Sequence, residues 1–359
     1  MKVLVWQWGR RGGGPRFAID LARGIASLPH HEIVLSLSRQ SEFMNLDEVV
    51  CDLPVSTYTN IVGLLWRAIC APQLFFSLRK QLKGRGLDLA VCAMPGPLDL
   101  IMLGALRSIG VPVVVFVHDA QAHPGDGYPM QIFLQNILIR LADGVAVLSR
   151  HVARQLEQSG ALHGRVPVLS TLPPSIFHKN FPAPMAHQGA KRFLFFGRLL
   201  HYKGLDLLAE ALSLLPSDLA FEMRIVGNGP ASETLRELAR DARVRVENRW
   251  VPEDEIPALI AWADVLVLPY REASQSGVAG AAIMANRWAI ATRVGGLTEQ
   301  FADQTQAIIC APTASSIAAA IVEMVRTPPA LPPRYDALKA WRNMSRQFLQ
   351  DCGNLLAAR

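Results

Sequence analysis

Two cations, Arg198 and Lys203, flank one short loop in the run Phe196-Gly-Arg-Leu-Leu-His-Tyr-Lys-Gly204. A planar guanidinium fork and a point-charge ammonium converging on one spot suit a pyrophosphate. Further along, Pro269-Tyr-Arg-Glu-Ala-Ser-Gln-Ser-Gly-Val278 puts Ser276, Gly277 and Val278 at the expected entrance to a helix. Unpaired amides and the helix dipole make such an entrance attractive to an anion. In the same loop Glu272 offers a carboxylate that can accept hydrogen bonds from a neutral polyol. A second glycine-rich turn, Gly9-Arg-Arg-Gly-Gly-Gly-Pro-Arg16, brings Gly13, Gly14 and Arg16 to the start of another helix. It is not GxGxxG, and the next strand runs from Leu37 into Ser38-Arg39 without an acid, which counts against a dinucleotide. The turn can also be a tight strand-to-helix connection that holds no ligand.

These loops need strands and helices in alternation to carry them. Lys2 to Trp6 reads as a short strand, followed by a helix over Pro15 to Leu28 with Phe17, Leu21, Ile25 and Leu28 at helical spacing. Ile33–Leu37, Leu87–Met94, Val111–Val117 and Gly144–Leu148 are further apolar runs of the kind found in buried parallel strands. The alternation restarts at Arg192–Phe196 and continues at Met223–Val226, Val244–Val246, Val265–Leu268 and Ala289–Thr292. The expected class is α/β, with two Rossmann-like doubly wound parallel-sheet domains and ligands in the cleft between them, at the carboxyl ends of the strands. The expected bounds are 1–172 for the first domain, 173–190 for a linker, 191–330 for the second domain and 331–359 for a helical tail. Pro173, Pro174, Pro182 and Pro184 mark the linker, and a second proline cluster over 327–333 precedes a last helix from Tyr335 to Ala357 that returns toward the first domain.

The bulk numbers exclude several classes. At 359 residues, 50% hydrophobic and 18% charged, the chain is neither disordered nor fibrous and has room for two cores. No apolar run is long enough to span a bilayer, and the N-terminus lacks the apolar region of a signal peptide. Five scattered cysteines without a CxxC pair point to a reducing cytoplasm rather than a disulfide framework or a zinc cluster. The net charge of +6 suits an anionic partner. No aromatic RNA-binding signature, zinc-finger spacing or heptad accompanies it, so nucleic acid is not expected.

Taken together, Gly197-Arg198 with Lys203-Gly204, Val226-Gly-Asn228-Gly, the Pro269–Val278 loop and Ala291-Thr-Arg-Val-Gly-Gly resemble the family-four retaining glycosyltransferases of the GT-B architecture. The resemblance covers nearly the whole chain and is strongest from Arg192 to Glu299. It implies that Arg198 and Lys203 hold the diphosphate of a sugar nucleotide, with the amides of Ser276, Gly277 and Val278. It implies that His118, at the end of Val115-Phe-Val-His, contacts the donor sugar and that Glu272 orients it. Gly13, Gly14, Arg16, Asn228 and Trp250 would line the donor and acceptor cleft. The implied partners are a UDP-, GDP- or dTDP-sugar donor and a glycan or polyprenyl-diphosphate-linked acceptor, as in exopolysaccharide or glycolipid biosynthesis. No resident cofactor is implied, and the absence of a DxD triplet argues against the metal-dependent architecture.

One departure stands out. The family carries a second glutamate that holds the donor ribose, and its spacing from Glu272 falls here on Gly280, or on Ala281 when counted back from Ala291-Thr292. That loss leaves a non-catalytic nucleotide-sugar binder open as a rival, beside an epimerase of the same architecture. A dinucleotide oxidoreductase is disfavoured by the first loop. The stretch from Ile61 to Lys80 is apolar with a basic end. It reads either as helices packed on the sheet or as a face resting peripherally on anionic lipid at the inner side of the membrane.

Overall fold

The computed structural model describes residues 1–121, 130–176, 185–252, 254–302, 306–327 and 335–357. Pro182, Pro184 and most of the second proline cluster lie outside these residues. The described residues form two units. One runs to Pro173 and takes back the chain from Leu338, and the other spans Pro174 to Ala337.

The first unit contains β1 (Lys2–Gln7), α1 (Gly13–Ala26), β2 (Glu32–Leu37), α2 (Ile61–Ile69), α3 (Ala71–Leu82) and β3 (Leu89–Cys92). It continues through α4 (Asp99–Arg107), β4 (Val113–Val117), α5 (Gln131–Leu141), β5 (Gly144–Val147), α6 (Arg150–Gln158) and β6 (Val168–Leu169). Its six-stranded sheet has the order β2-β1-β3-β4-β5-β6, and every pairing is parallel. β3, β4 and β5 are buried along their whole length, which is why they read as unbroken apolar runs rather than alternating ones.

The second unit contains β7 (Lys191–Phe196), α7 (Leu205–Ser213), β8 (Phe221–Gly227), α8 (Glu233–Leu238), β9 (Val244–Asn248) and α9 (Ile256–Trp262). After these come β10 (Val265–Leu268), α10 (Gly277–Met284), β11 (Trp288–Thr292), α11 (Leu297–Gln300), β12 (Ala307–Cys310) and α12 (Ala314–Arg326). This sheet is also all parallel, with the order β12-β11-β10-β7-β8-β9.

The last helix, α13 (Ala337–Ala357), belongs mainly to the first unit. Its Trp341 and Phe348 are buried there, with ring centroids 5.6 Å from Phe17 and 4.8 Å from Phe116 respectively. α1 and α13 cross so closely at Gly24 that a Cβ there would lie 2.4 Å from Ser345 Oγ. The chain therefore completes the first core with its last helix, as the sequence predicts. Two strands go beyond that expectation. β6 is only two residues long, β12 is half-buried throughout, and both close an edge of their sheet. An edge strand lacks the long apolar signature of a central one.

Candidate functional site

In the second unit β7 lies mid-sheet, with β8 and β9 to one side and β10, β11 and β12 to the other. The chain thus reverses its winding direction between β7 and β10, which makes a topological switch point at the carboxyl ends of these two strands. Open α/β sheets take ligands in the crevice this creates. Arg198 and Lys203 sit on the loop after β7, and Glu272 and Ser276 sit on the loop after β10.

The two loops are fastened together. Tyr202 carbonyl accepts from the Arg271 amide at 2.9 Å and from the Glu272 amide at 3.4 Å. The Arg271 guanidinium pairs with Asp206; burial opposes ionisation there, but the Arg271 hydrogen bonds outweigh it and hold the carboxyl below its usual range. Gly204 has φ +69°, and a Cβ there would lie 1.9 Å from Pro269 carbonyl oxygen. At Gly227 a Cβ would lie 1.6 Å from Gly197 carbonyl oxygen. These two glycines are required by the approach of loop to loop.

Tyr270 joins the charged parts. Its buried ring lies under Lys203 Nζ, 3.7 Å from the centroid, and its hydroxyl is 3.3 Å from Ser276 Oγ. Burial pushes the phenol up, with the Ser276 hydrogen bond and the nearby Arg198 charge opposing that shift. Thr292 Oγ1 donates to Tyr270 carbonyl at 2.6 Å and fixes the backbone beneath. Ser276 caps α10, its Oγ accepting from the Ala279 amide at 3.3 Å, a bond type that adds about 1 kcal/mol to a helix. Its own amide donates to Gln300 Oε1 at 2.7 Å, while Gln300 Nε2 donates to Ser276 carbonyl at 3.3 Å. The Ser276 amide, one of the three expected to face an anion, is therefore occupied in this structure. Asn228 carbonyl accepts from the Leu199 amide at 2.9 Å, and its side chain is exposed. Trp250, 48% exposed, follows the edge strand β9 and so stands farther from the crevice.

The first unit reverses its winding between β1 and β3. Here the Gly12 amide donates to Glu42 Oε1 at 2.9 Å, so a phosphate at that amide would have to displace a carboxylate. Gly13 opens α1 into free space, Gly14 is buried over the Gln7 side chain, and Arg16 is half-buried. His118 leaves the carboxyl end of β4 and is 6% exposed, with its Nε2 2.8 Å from Ala93 carbonyl. A carbonyl only accepts, so Nε2 carries the proton. Burial lowers the His118 pKa, with Asp119 and the Ala93 carbonyl opposing, and the ring is neutral at pH 7. Nearby Asp99 is fully buried, accepting from the Gly96 amide at 2.7 Å and Trp6 Nε1 at 3.1 Å, and burial pushes its carboxyl up to about 7. A hollow lined by Arg107, Arg140, Asp143, His163 and Arg165 lies beside the amino end of β5. Arg165 there donates to the Ile139 and Ala142 carbonyls, closing the end of α5.

Residues 11–171 match the family Glycosyltransferase Family 4, and residues 190–327 match Glycosyl transferases group 1. The chain is a GT-B glycosyltransferase. This glycosyltransferase is 26% identical over 352 residues to 2-deoxystreptamine glucosyltransferase of Streptomyces kanamyceticus, covering 87% of this chain and 89% of that one. It is 31% identical over 159 residues to a GDP-mannose-dependent phosphatidylinositol monomannoside mannosyltransferase of Mycobacterium tuberculosis, a match covering 40% of this chain and 41% of that one. Among solved structures, HepE of Anabaena in complex with UDP and glucose superposes with a TM-score of 0.70, at 17% identity over the full length of both chains.

Within the glycosyltransferase, the two positions that the second glutamate would take differ sharply. Gly280 is buried on α10, where a Cβ would lie 3.3 Å from Pro174 Cα. Ala281 is only half-buried, standing one turn beyond exposed Gly277 and packing in part against the second core. Sequence reasoning missed Tyr270 and Gln300. Tyr270 lies inside a motif singled out for its polar members, and an aromatic after a strand reads as core. Gln300 lies 24 residues beyond Ser276, and nothing local links them.

Proposed function

We propose that this glycosyltransferase moves a hexosyl group from a UDP-, GDP- or dTDP-sugar to a hydroxyl of a lipid-linked or growing glycan, with retention at the anomeric carbon and without a metal. The observation that carries the reading is the link through Tyr270, which ties Lys203 to the cap of α10 at the switch point of the second sheet. Arg198, Lys203 and the amides of Gly277 and Val278 stabilise the diphosphate as negative charge builds on it. This is preorganised electrostatics rather than acid–base chemistry. The departing phosphate oxygen takes the acceptor's proton on the face where the new glycosidic bond forms, which gives retention. Glu272 orients the sugar hydroxyls, and neutral His118 contacts the sugar near the reacting carbon. The names of the relatives support a nucleotide-sugar donor, since one uses GDP-mannose and one structural neighbour holds UDP.

The test has two stages. UDP-, GDP- and dTDP-sugars are first screened for protection against thermal unfolding, since a ligand that binds only the folded state raises the melting temperature. The protecting donor is then incubated with glycan and glycolipid acceptors, and the product's anomeric configuration is read by NMR. Release of nucleotide with the donor's configuration kept is the expected result. Protection without transfer to any acceptor would favour a binder, and an inverted product would overturn the mechanism.

A further inference from the structure

The α2 helix has no buried residue. Ile61, Val62, Leu65, Trp66 and Ile69 on it are between 61% and 77% exposed, and they recur at helical spacing as one stripe. The helix is well made all the same, since Asn60 Oδ1 caps it by accepting from the Gly63 amide at 2.8 Å. The next helix, α3, is anchored: Leu78 and Leu82 are buried, and Phe75 packs 3.4 Å from the place of a Cβ on Gly104 of α4. On its outer side Phe76 is 63% exposed. An apolar stripe of this size, left bare on a helix that otherwise holds its shape, calls for a covering surface.

Charge identifies the occupant. From Leu53 to Leu87 the sequence contains no Asp or Glu, while Arg67, Arg79, Lys80, Lys83 and Arg85 all fall within it. Arg79, Lys80 and Lys83 are exposed. A second copy of the same face would set these cations against each other. An anionic leaflet satisfies both the stripe and the cations. Crossing the bilayer is excluded by geometry: α2 and α3 meet at a bend of 71°, α3 is held in the core, and α2 alone is too short.

We propose that α2 lies flat in the interface of an anionic membrane, inserting Ile61, Val62, Leu65, Trp66 and Ile69 while the α3 cations sit on the headgroups. The surface belongs to the first unit and is tested by binding alone, so it stands or falls separately from the transfer reaction. The full-length chain is sedimented with phosphatidylcholine vesicles with and without phosphatidylglycerol. Binding about tenfold stronger to the anionic vesicles, and weakening as salt is added, is expected. The double variant Leu65→Glu/Trp66→Glu changes only exposed side chains, so its melting temperature stays unchanged while vesicle binding falls by about tenfold or more. Brominated lipids quench part of the tryptophan emission, and Trp66→Phe removes that part. Equal partition to both vesicle types, or none, overturns the proposal. Lipid-free self-association that Leu65→Glu/Trp66→Glu abolishes also overturns it, by assigning the face to a second copy.

Discussion

Replacing Tyr270 separates the contribution of its ring from that of its hydroxyl. The ring is 1% exposed and lies 3.7 Å below Lys203 Nζ, so the cation–π contact is largely desolvated and worth about 1–2 kcal/mol. Losing it in Tyr270→Leu frees the ammonium from its orientation and weakens nucleoside diphosphate binding by roughly 5- to 30-fold. The hydroxyl makes one neutral bond of 3.3 Å to Ser276 Oγ, which keeps its bond from the Ala279 amide when the hydroxyl is gone. Tyr270→Phe therefore costs less than about 1 kcal/mol, under roughly fivefold. Truncating a buried aromatic also lowers stability by about 3 kcal/mol, so calorimetric titrations are run well below each variant's melting temperature. Wild-type affinity in folded Tyr270→Leu would refute the positioning role of the ring. A loss in Tyr270→Phe as large as in Tyr270→Leu would transfer that role to the hydroxyl.

Three further perturbations test neighbouring parts. Gly280 and Ala281 offer no side-chain acceptor to a ribose diol, so a 2′-deoxynucleoside diphosphate should bind almost as well as the ribo form. Ala281→Glu, at a half-buried position one turn beyond exposed Gly277, should tighten the ribonucleotide more than the deoxy analogue, by up to about 1.5–3 kcal/mol; equal gains for both, measured by calorimetry, would contradict this. Gly204→Ala should destabilise the second unit by about 3 kcal/mol or more in urea unfolding, because its Cβ would meet Pro269 carbonyl oxygen at 1.9 Å in a left-handed backbone, and a neutral effect would deny that contact. Asp99 holds its proton to about pH 7 when folded, but only to near 3.8 in its unperturbed form. Between those values the folded chain binds the extra proton, so this residue's contribution to stability is greatest at low pH and is lost as pH rises toward 7. The loss is on the order of 4 kcal/mol, and urea unfolding at a series of pH values should show its slope flattened in Asp99→Asn.

Much of this architecture is legible in the sequence because central parallel strands are buried on both faces. β4 and β5 appear as unbroken valine-rich runs, and their ends are nearly those expected. Edge strands are not legible in the same way: β6 has two residues, one of them exposed, and gives no periodic signal. Loop glycines announce tight geometry but not its cause. Gly204 and Gly227 answer to neighbouring carbonyls, and the Gly12 amide is filled by Glu42 from 30 residues away. The same limit hides Gln300, whose bond to the Ser276 amide exists only once two separate loops have met. A charged motif such as Arg198 with Lys203 survives translation into structure better, since one loop carries both cations.

The most direct measurement is calorimetric titration of UDP, GDP and dTDP into the wild type, Arg198→Ala and Lys203→Ala. One nucleotide is expected to bind the wild type, and each substitution should weaken it by about ten- to a hundredfold, the range for a lost charge-assisted hydrogen bond. Arg198→Ala should leave the melting temperature unchanged, because an exposed loop cation adds little to stability. Lys203→Ala should lower it modestly through loss of the Tyr270 contact, so titrations are run well below each melting point. Undiminished binding in both folded variants would contradict the assignment of the diphosphate site to the β7 loop.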